Sequence, residues 1–189
     1  QHHPRLLYLL IPLLLDFEHE TGFSDVVLLS MLSRVELSMP PLNQIQKVAL
    51  GIWNQVARAC PELADHIRQI AEEYRVQHRI SAEEESAEVN LQFQPYSLFL
   101  PWVENAFVGY LRVDCMYFLW IQCLLGGLIS REEQDTWDRQ TFINISSNIV
   151  KILRDDFLTA QSFPEMHRIV RDKTTSITCK QLRGQTFRI

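Results

Sequence analysis

The four cysteines are the side chains best equipped for chemistry in this 189-residue chain, and their spacing limits what they can do. Cys60, Cys115, Cys123 and Cys179 include no CxxC pair, and no histidine lies within a helical turn of any of them. Cys115 and Cys123 stand eight apart, a rise of about 12 Å on one helix and too far for a disulfide. Neither a zinc site nor any cofactor is expected on this spacing. Reduced, buried thiols suit a cytoplasmic protein. His66 and His78, twelve apart, cannot share a ligand and read as exposed helix histidines. Glu83, Glu84 and Glu85 form a carboxylate run without the interleaved Asp, Asn and Gly of a calcium loop, so they read as solvent-facing. Ser, His and Asp occur without a GxSxG elbow, which gives no footing for a hydrolase. Asp155-Asp156 falls near the C-terminal end of a predicted helix, where the dipole disfavours negative charge. Such acids are usually tolerated, and occasionally mark a partner contact. Asn144-Ile145-Ser146 fits the glycosylation pattern but, inside a predicted helix of a reduced protein, reads as coincidence. Trp53, Trp102, Trp120 and Trp137 read as core packing before ligand stacking.

The net charge of −5 argues against a nucleic-acid partner, because phosphate binding gathers Lys and Arg. The basic residues between His167 and Arg188 are dispersed among Thr, Ser and apolar residues. They read as a solvated tail first and a binding strip second. Leu6 to Leu15 is apolar but too short to span a bilayer, and acidic residues, not a cleavage site, follow it. The chain does not open on Met, and the expectation is a domain of a longer protein.

The elements that must position these residues are helical. The centre is Pro95 to Gly127, read as two consecutive apolar helices joined by a tight corner. The second carries Cys115, Met116, Phe118, Leu119, Ile121, Cys123, Leu124 and Leu125 and ends on Gly126-Gly127, where a left-handed cap is cheap. A rod apolar on nearly every side is expected to be buried on nearly every side. Before it come a proline-kinked helix over Leu6 to Phe17 and a second helix from Thr21 or Ser24 to Arg34. A third runs over Leu42 to Ala59 and a more polar fourth over Glu62 to Ile80. SAEEESAEVN, residues 81–90, is the linker candidate, with outward continuation of the helix as the alternative. Ser130 with Glu133 predicts a cap for a helix over Glu132 to Phe157, with a break expected near Ile145 to Asn148. A short helix covers Glu165 to Arg171. In the tail, β-branched residues alternate with polar ones, which suits an edge strand or an extended arm. There is no Gly-rich phosphate loop and no fixed repeat. The predicted class is all-α: a helical domain over residues 1–172, then an extended tail or entry to a further domain over 173–189.

Two stretches in order, LLIPLLLDFEHETGFSDVVLLSML and FLPWVENAFVGYLRVDCMYFLWIQCLL, resemble the C-terminal part of a TBC domain, the helical fold of Rab GTPase-activating proteins. CPELADHI between them is similar to a phrase usual in that family, and the register extends from Leu6 to Phe157. The resemblance implies an irregular multi-helix bundle like the family's C-terminal lobe. It also brings the family's chemistry, in which an Arg from I-x-x-D-x-x-R and a Gln from Y-x-Q enter the GTPase site to stabilise charge and orient water. This chain departs from that pattern. It has no I-x-x-D-x-x-R motif, Pro4 stands where the glutamine belongs, and Ile121 replaces the Asp of a Leu-Trp-Asp.

The favoured reading is therefore a non-catalytic, TBC-like interaction or scaffold module of membrane trafficking, with a small GTPase or members of a larger assembly as its expected protein partners, and not an enzyme. An active Rab GTPase-activating protein with its fingers upstream of Gln1, and a structural helical subunit of a large complex, remain as alternatives. Arg5, Tyr8 and the acidic arm from Glu83, Glu84 and Glu85 to Glu88 are the expected binding residues. Lys180 to Arg188 suits pairing with a sheet edge elsewhere.

Overall fold

A computed structural model describes residues 42–77, 94–129 and 139–186. The regular structure among them is entirely helical, so the all-α class is correct. The predicted helices over Leu6 to Phe17 and Thr21 to Arg34, the 81–90 linker and the Ser130 cap lie outside the described residues.

Helix α1 (Ile45–Ala59) follows a 3-10 turn at Leu42–Gln44 and buries Val48, Ala49, Ile52, Trp53 and Val56, the three- and four-residue spacing of one face. The chain turns at Cys60, whose N–H donates to Val56 O, and α2 (Pro61–Gln77) begins at once. Proline suits a first helical position because its missing N–H would have had no partner there. Leu63, Ala64, Ile67, Ile70 and Ala71 turn the inner face of α2 to the core.

The central stretch keeps its corner but not its first rod. Pro95–Phe99 is a 3-10 turn and α3 (Leu100–Glu104) only a single turn of helix. The chain then reverses through Ala106 (φ 48°), Phe107 (φ 65°) and Gly109 (φ 81°). Left-handed backbone at the two residues with side chains costs about 1–2 kcal/mol each. Burial offsets it: Phe107 is fully enclosed, packing on Trp102 (5.1 Å between ring centroids) and on Phe142 (5.6 Å). Trp120 Nε1 also donates to Ala106 O at 3.0 Å, so the corner presents a carbonyl to a buried indole.

The second rod, α4 (Val113–Ile129), continues through Gly126 and Gly127 instead of ending there. Its enclosure is incomplete as well. Cys115, Leu119, Trp120 and Cys123 are buried, but Val113, Ile121 and Leu125 are about half exposed and share an edge at multiples of four residues. Burial on nearly every side is therefore not met at these three positions; among the described residues, the helices over 139–152 and 179–186 pack against the inner side of α4.

α5 (Arg139–Ile152) packs most extensively against α1 and breaks only at Leu153, before α6 (Arg154–Thr159). The break expected at Ile145 to Asn148 does not form. Ser146 Oγ donates to Phe142 O (2.7 Å) and Ser147 Oγ to Asn144 O (2.9 Å), so the hydroxyls are satisfied within the helix. Moving the break also removes the frustration at Asp155-Asp156. Both acids now lie in the first turn of α6, where the dipole favours them, and Asp156 pairs with Lys173 at 3.1 Å.

α7 (Phe163–Arg168) is capped by Ser162 Oγ, which accepts from Glu165 N, and Glu165 Oε2 accepts from Gln161 N. It widens into a π turn at Ile169–Lys173 and a 3-10 turn at Thr174–Ser176. The extended tail or strand expected from residue 173 is contradicted: α8 (Cys179–Thr186) lies on α5 and α4. The β-branched run is a helix start. Gln181 N donates to Thr178 Oγ1 (3.3 Å) and Thr178 N to Gln181 Oε1 (2.9 Å), while Ile177 and Leu182 drop into the core.

Two measurements check this account. Thr178→Ala is expected to lower the unfolding free energy by about 1 kcal/mol through loss of the cap, read as a lower urea midpoint at unchanged slope. Trp120→Phe, which keeps an aromatic ring but removes the donor to Ala106 O, is expected to cost about 1–3 kcal/mol in the same assay.

Candidate functional site

A cleft of about 850 Å³ opens where the irregular backbone segments meet. Tyr74 of α2, Leu100 and Pro101 of α3, and Phe163 and Pro164 of α7 form its apolar surface, and Glu104, Tyr110, His167, Arg168 and Arg171 supply polar groups. Each wall is held from below. Trp102 Nε1 donates to Val170 O (3.2 Å), which locks α3 to the π turn, and Thr174 Oγ1 donates to the same carbonyl at 2.7 Å. The widened turn thus presents a carbonyl that side chains can reach, a recurrent use of π geometry near functional sites.

The rings along one wall are ordered. Tyr74 and Phe163 lie 5.8 Å apart between centroids, and His167 stands edge-on to Phe163 at 5.0 Å and 87°. His167 is exposed at the cleft, yet loss of hydration against this wall lowers its pKa from the usual 6.5. Burial, with the Glu104 charge second, raises the Tyr110 phenol above its usual 10, and the Arg171 charge opposes it only partly. At neutral pH the phenol therefore donates and accepts as an uncharged group. Arg171 is bound to the Asp172 carboxylate through Nε (2.7 Å) and a terminal nitrogen (3.2 Å), which directs its guanidinium along the rim. Apolar walls with aromatic anchors and an ionic rim can hold a peptide or a side-chain cluster of another protein.

A second grouping joins distant parts of the chain. The ligating atoms of Asp114, Cys115 and Cys179 all lie within 4.8 Å of one another, the first two from the first turn of α4 and the third from the start of α8. These are groups able to hold a cation.

The residues singled out in the sequence fare unequally. Arg5, Tyr8, Glu83, Glu84 and Glu85 lie outside the described residues, as do His78 and Trp137. His66, expected to be exposed, is half-buried and bonds Ala160 O through Nε2 at 3.0 Å, tying α2 to the end of α6. Trp53, Trp102 and Trp120 are core residues as expected. Asn144 accepts from Gln55 Nε2 at 2.8 Å between α5 and α1, and Ser146 is fully buried, so the glycosylation pattern spans a helix interface. Sequence reasoning missed both groupings, since their members stand up to 97 positions apart, from Tyr74 to Arg171, and no local motif links them.

Because the folded-state pKa of His167 lies below 6.5, the unfolded chain takes up this proton first as pH falls. Stability is expected to decline from about pH 6.5 down to the folded-state value and then to level off for this group. A proton-NMR titration should place the His167 midpoint below that of free histidine, and His167→Gln should remove this contribution to the pH slope.

Compared with known proteins, the chain matched no protein-family model, no curated protein and no solved structure.

Proposed function

We propose that this chain is a non-catalytic, TBC-like helical interaction module that binds a protein partner, foremost a small GTPase, at the cleft between α2, α3 and α7. The observation that carries the reading is the make-up of the cleft: aromatic and proline walls with a rim of Glu104, His167, Arg168 and Arg171. Recognition surfaces combine an apolar centre with polar groups around it, and Tyr and Arg are the side chains that most often anchor them. The stretch that resembles the TBC family, from Phe99 through Tyr110, supplies one wall of this cleft, and Tyr74 of α2, the helix that follows Cys60 of CPELADHI, stands on another.

The half-exposed edge of α4 at Val113, Ile121 and Leu125 adds support, since rows of exposed apolar side chains commonly mark contact surfaces. Among the described residues no helix is long and apolar enough to cross a membrane. The module acts by holding its partner, because the finger residues through which a TBC domain would act on a GTPase are missing from this sequence.

The experiment is a binding and turnover assay with purified Rab GTPases loaded with GTP. At least one is expected to bind the full chain, with its rate of GTP hydrolysis unchanged. Arg171→Glu, a charge reversal at the rim, is expected to weaken that binding roughly tenfold. Faster hydrolysis would overturn the non-catalytic reading. Absence of binding across the panel, or binding indifferent to Arg171→Glu, would overturn the cleft as the site.

A further inference from the structure

We propose that Asp114, Cys115 and Cys179 form a binding site for a thiophilic divalent cation of the zinc type, built between the first turns of α4 and α8. The three ligand atoms lie within 4.8 Å of one another although the cysteines stand 64 positions apart. This is a grouping of two sulfurs and one carboxylate, the donor types that hold zinc, and not an accident of helical spacing.

The 4.8 Å limit accommodates the separation of about 3.7 Å that tetrahedral zinc sets between two sulfurs. The carboxylate of Asp114 is a third donor that a disulfide leaves unused.

Cys115 is buried and its S–H donates to Ile177 O at 3.3 Å. A dication in this position replaces the two thiol protons and offsets the Asp114 charge. Two protons leave for each ion bound. The bound ion with two thiolates and one carboxylate carries a net charge of −1, and the Arg112 guanidinium, 3.2 Å from Asp114, balances it.

Access exists from the side of Asp114. This residue is about half exposed and borders two shallow clefts of about 460 and 420 Å³, which share Tyr117. Three protein ligands leave a fourth coordination position for water or a partner's side chain. The site ties α8 to α4, so an ion bound there stabilises the folded tail by mass action.

The test is a Co²⁺ titration of the full chain, kept reduced with a phosphine, followed by Zn²⁺ competition. One equivalent of Co²⁺ is expected to bind with a thiolate-to-cobalt charge-transfer absorption, release of two protons, and displacement by Zn²⁺. Cys179→Ser, at a half-buried position, is expected to abolish the absorption while retaining the circular dichroism of the fold. Asp114→Asn is expected to keep the absorption but weaken affinity at least tenfold, and Cys60→Ser to change nothing. An absorption that survives Cys179→Ser would overturn the site, as would the absence of any thiolate-to-cobalt absorption. Oxidation to a Cys115–Cys179 disulfide in protein that takes up no cobalt when reduced would overturn it too.

Discussion

Two buried indoles constrain the centre of this protein. Among the described residues Trp102 and Trp120 are the largest fully enclosed side chains, and each carries an N–H that water cannot reach. Leaving such a donor unmatched costs about 1–3 kcal/mol, and carbonyls within a regular helix are already engaged. The chain meets the demand by departing from regular geometry twice. At Ala106 a left-handed corner presents a carbonyl to Trp120, and at Val170 a π turn presents one to Trp102. The irregular backbone is thus the partner of the two largest core residues.

Those departures also place the functional surface. The corner delivers Tyr110 to one side of a cleft and the π turn delivers Arg171 to another, while α3, held between them by Trp102, contributes Leu100, Pro101 and Glu104. Burial decides whether such strain is tolerable. Enclosing a phenylalanine is worth about 1.5–3 kcal/mol, enough to offset a left-handed residue at Phe107. Exposed ion pairs contribute little by comparison. Arg154 with Glu62 at 2.6 Å and Lys173 with Asp156 at 3.1 Å orient neighbouring elements more than they stabilise them.

How much was legible in the sequence follows from where each signal resides. Helices α1 and α2 are written in local spacing, and Val48, Ile52 and Val56 or Leu63, Ile67 and Ile70 disclose their inner faces unaided. The left-handed corner is not written locally, because Ala106 and Phe107 carry no glycine signature and owe their conformation to Trp120 and Phe142, which come later in the chain. The tail misled for a different reason. Alternation of Thr, Ile and Ser is shared by an edge strand and by a capped helix start, and only the Thr178–Gln181 spacing separates them. Gly126-Gly127 resembled a helix end, yet the helix continues through both residues. The cleft was hidden altogether, since it depends on the meeting of four separate segments.

Docking of the tail extends this logic to the last helix. α8 contributes one core residue, Leu182, and lays Arg183 over the Phe118 ring at 5.3 Å. A helix of eight residues has little stability by itself, because nucleation consumes most of what propagation returns. Its position therefore depends on its own Thr178 cap and on contacts with its neighbours: buried Ile177, and the bond from Cys115 to Ile177 O. Whatever holds Cys179 beside Cys115 also holds this helix in place, and whatever lifts the helix separates the two thiols. A ligand bridging the two thiols would therefore favour the docked helix by mass action.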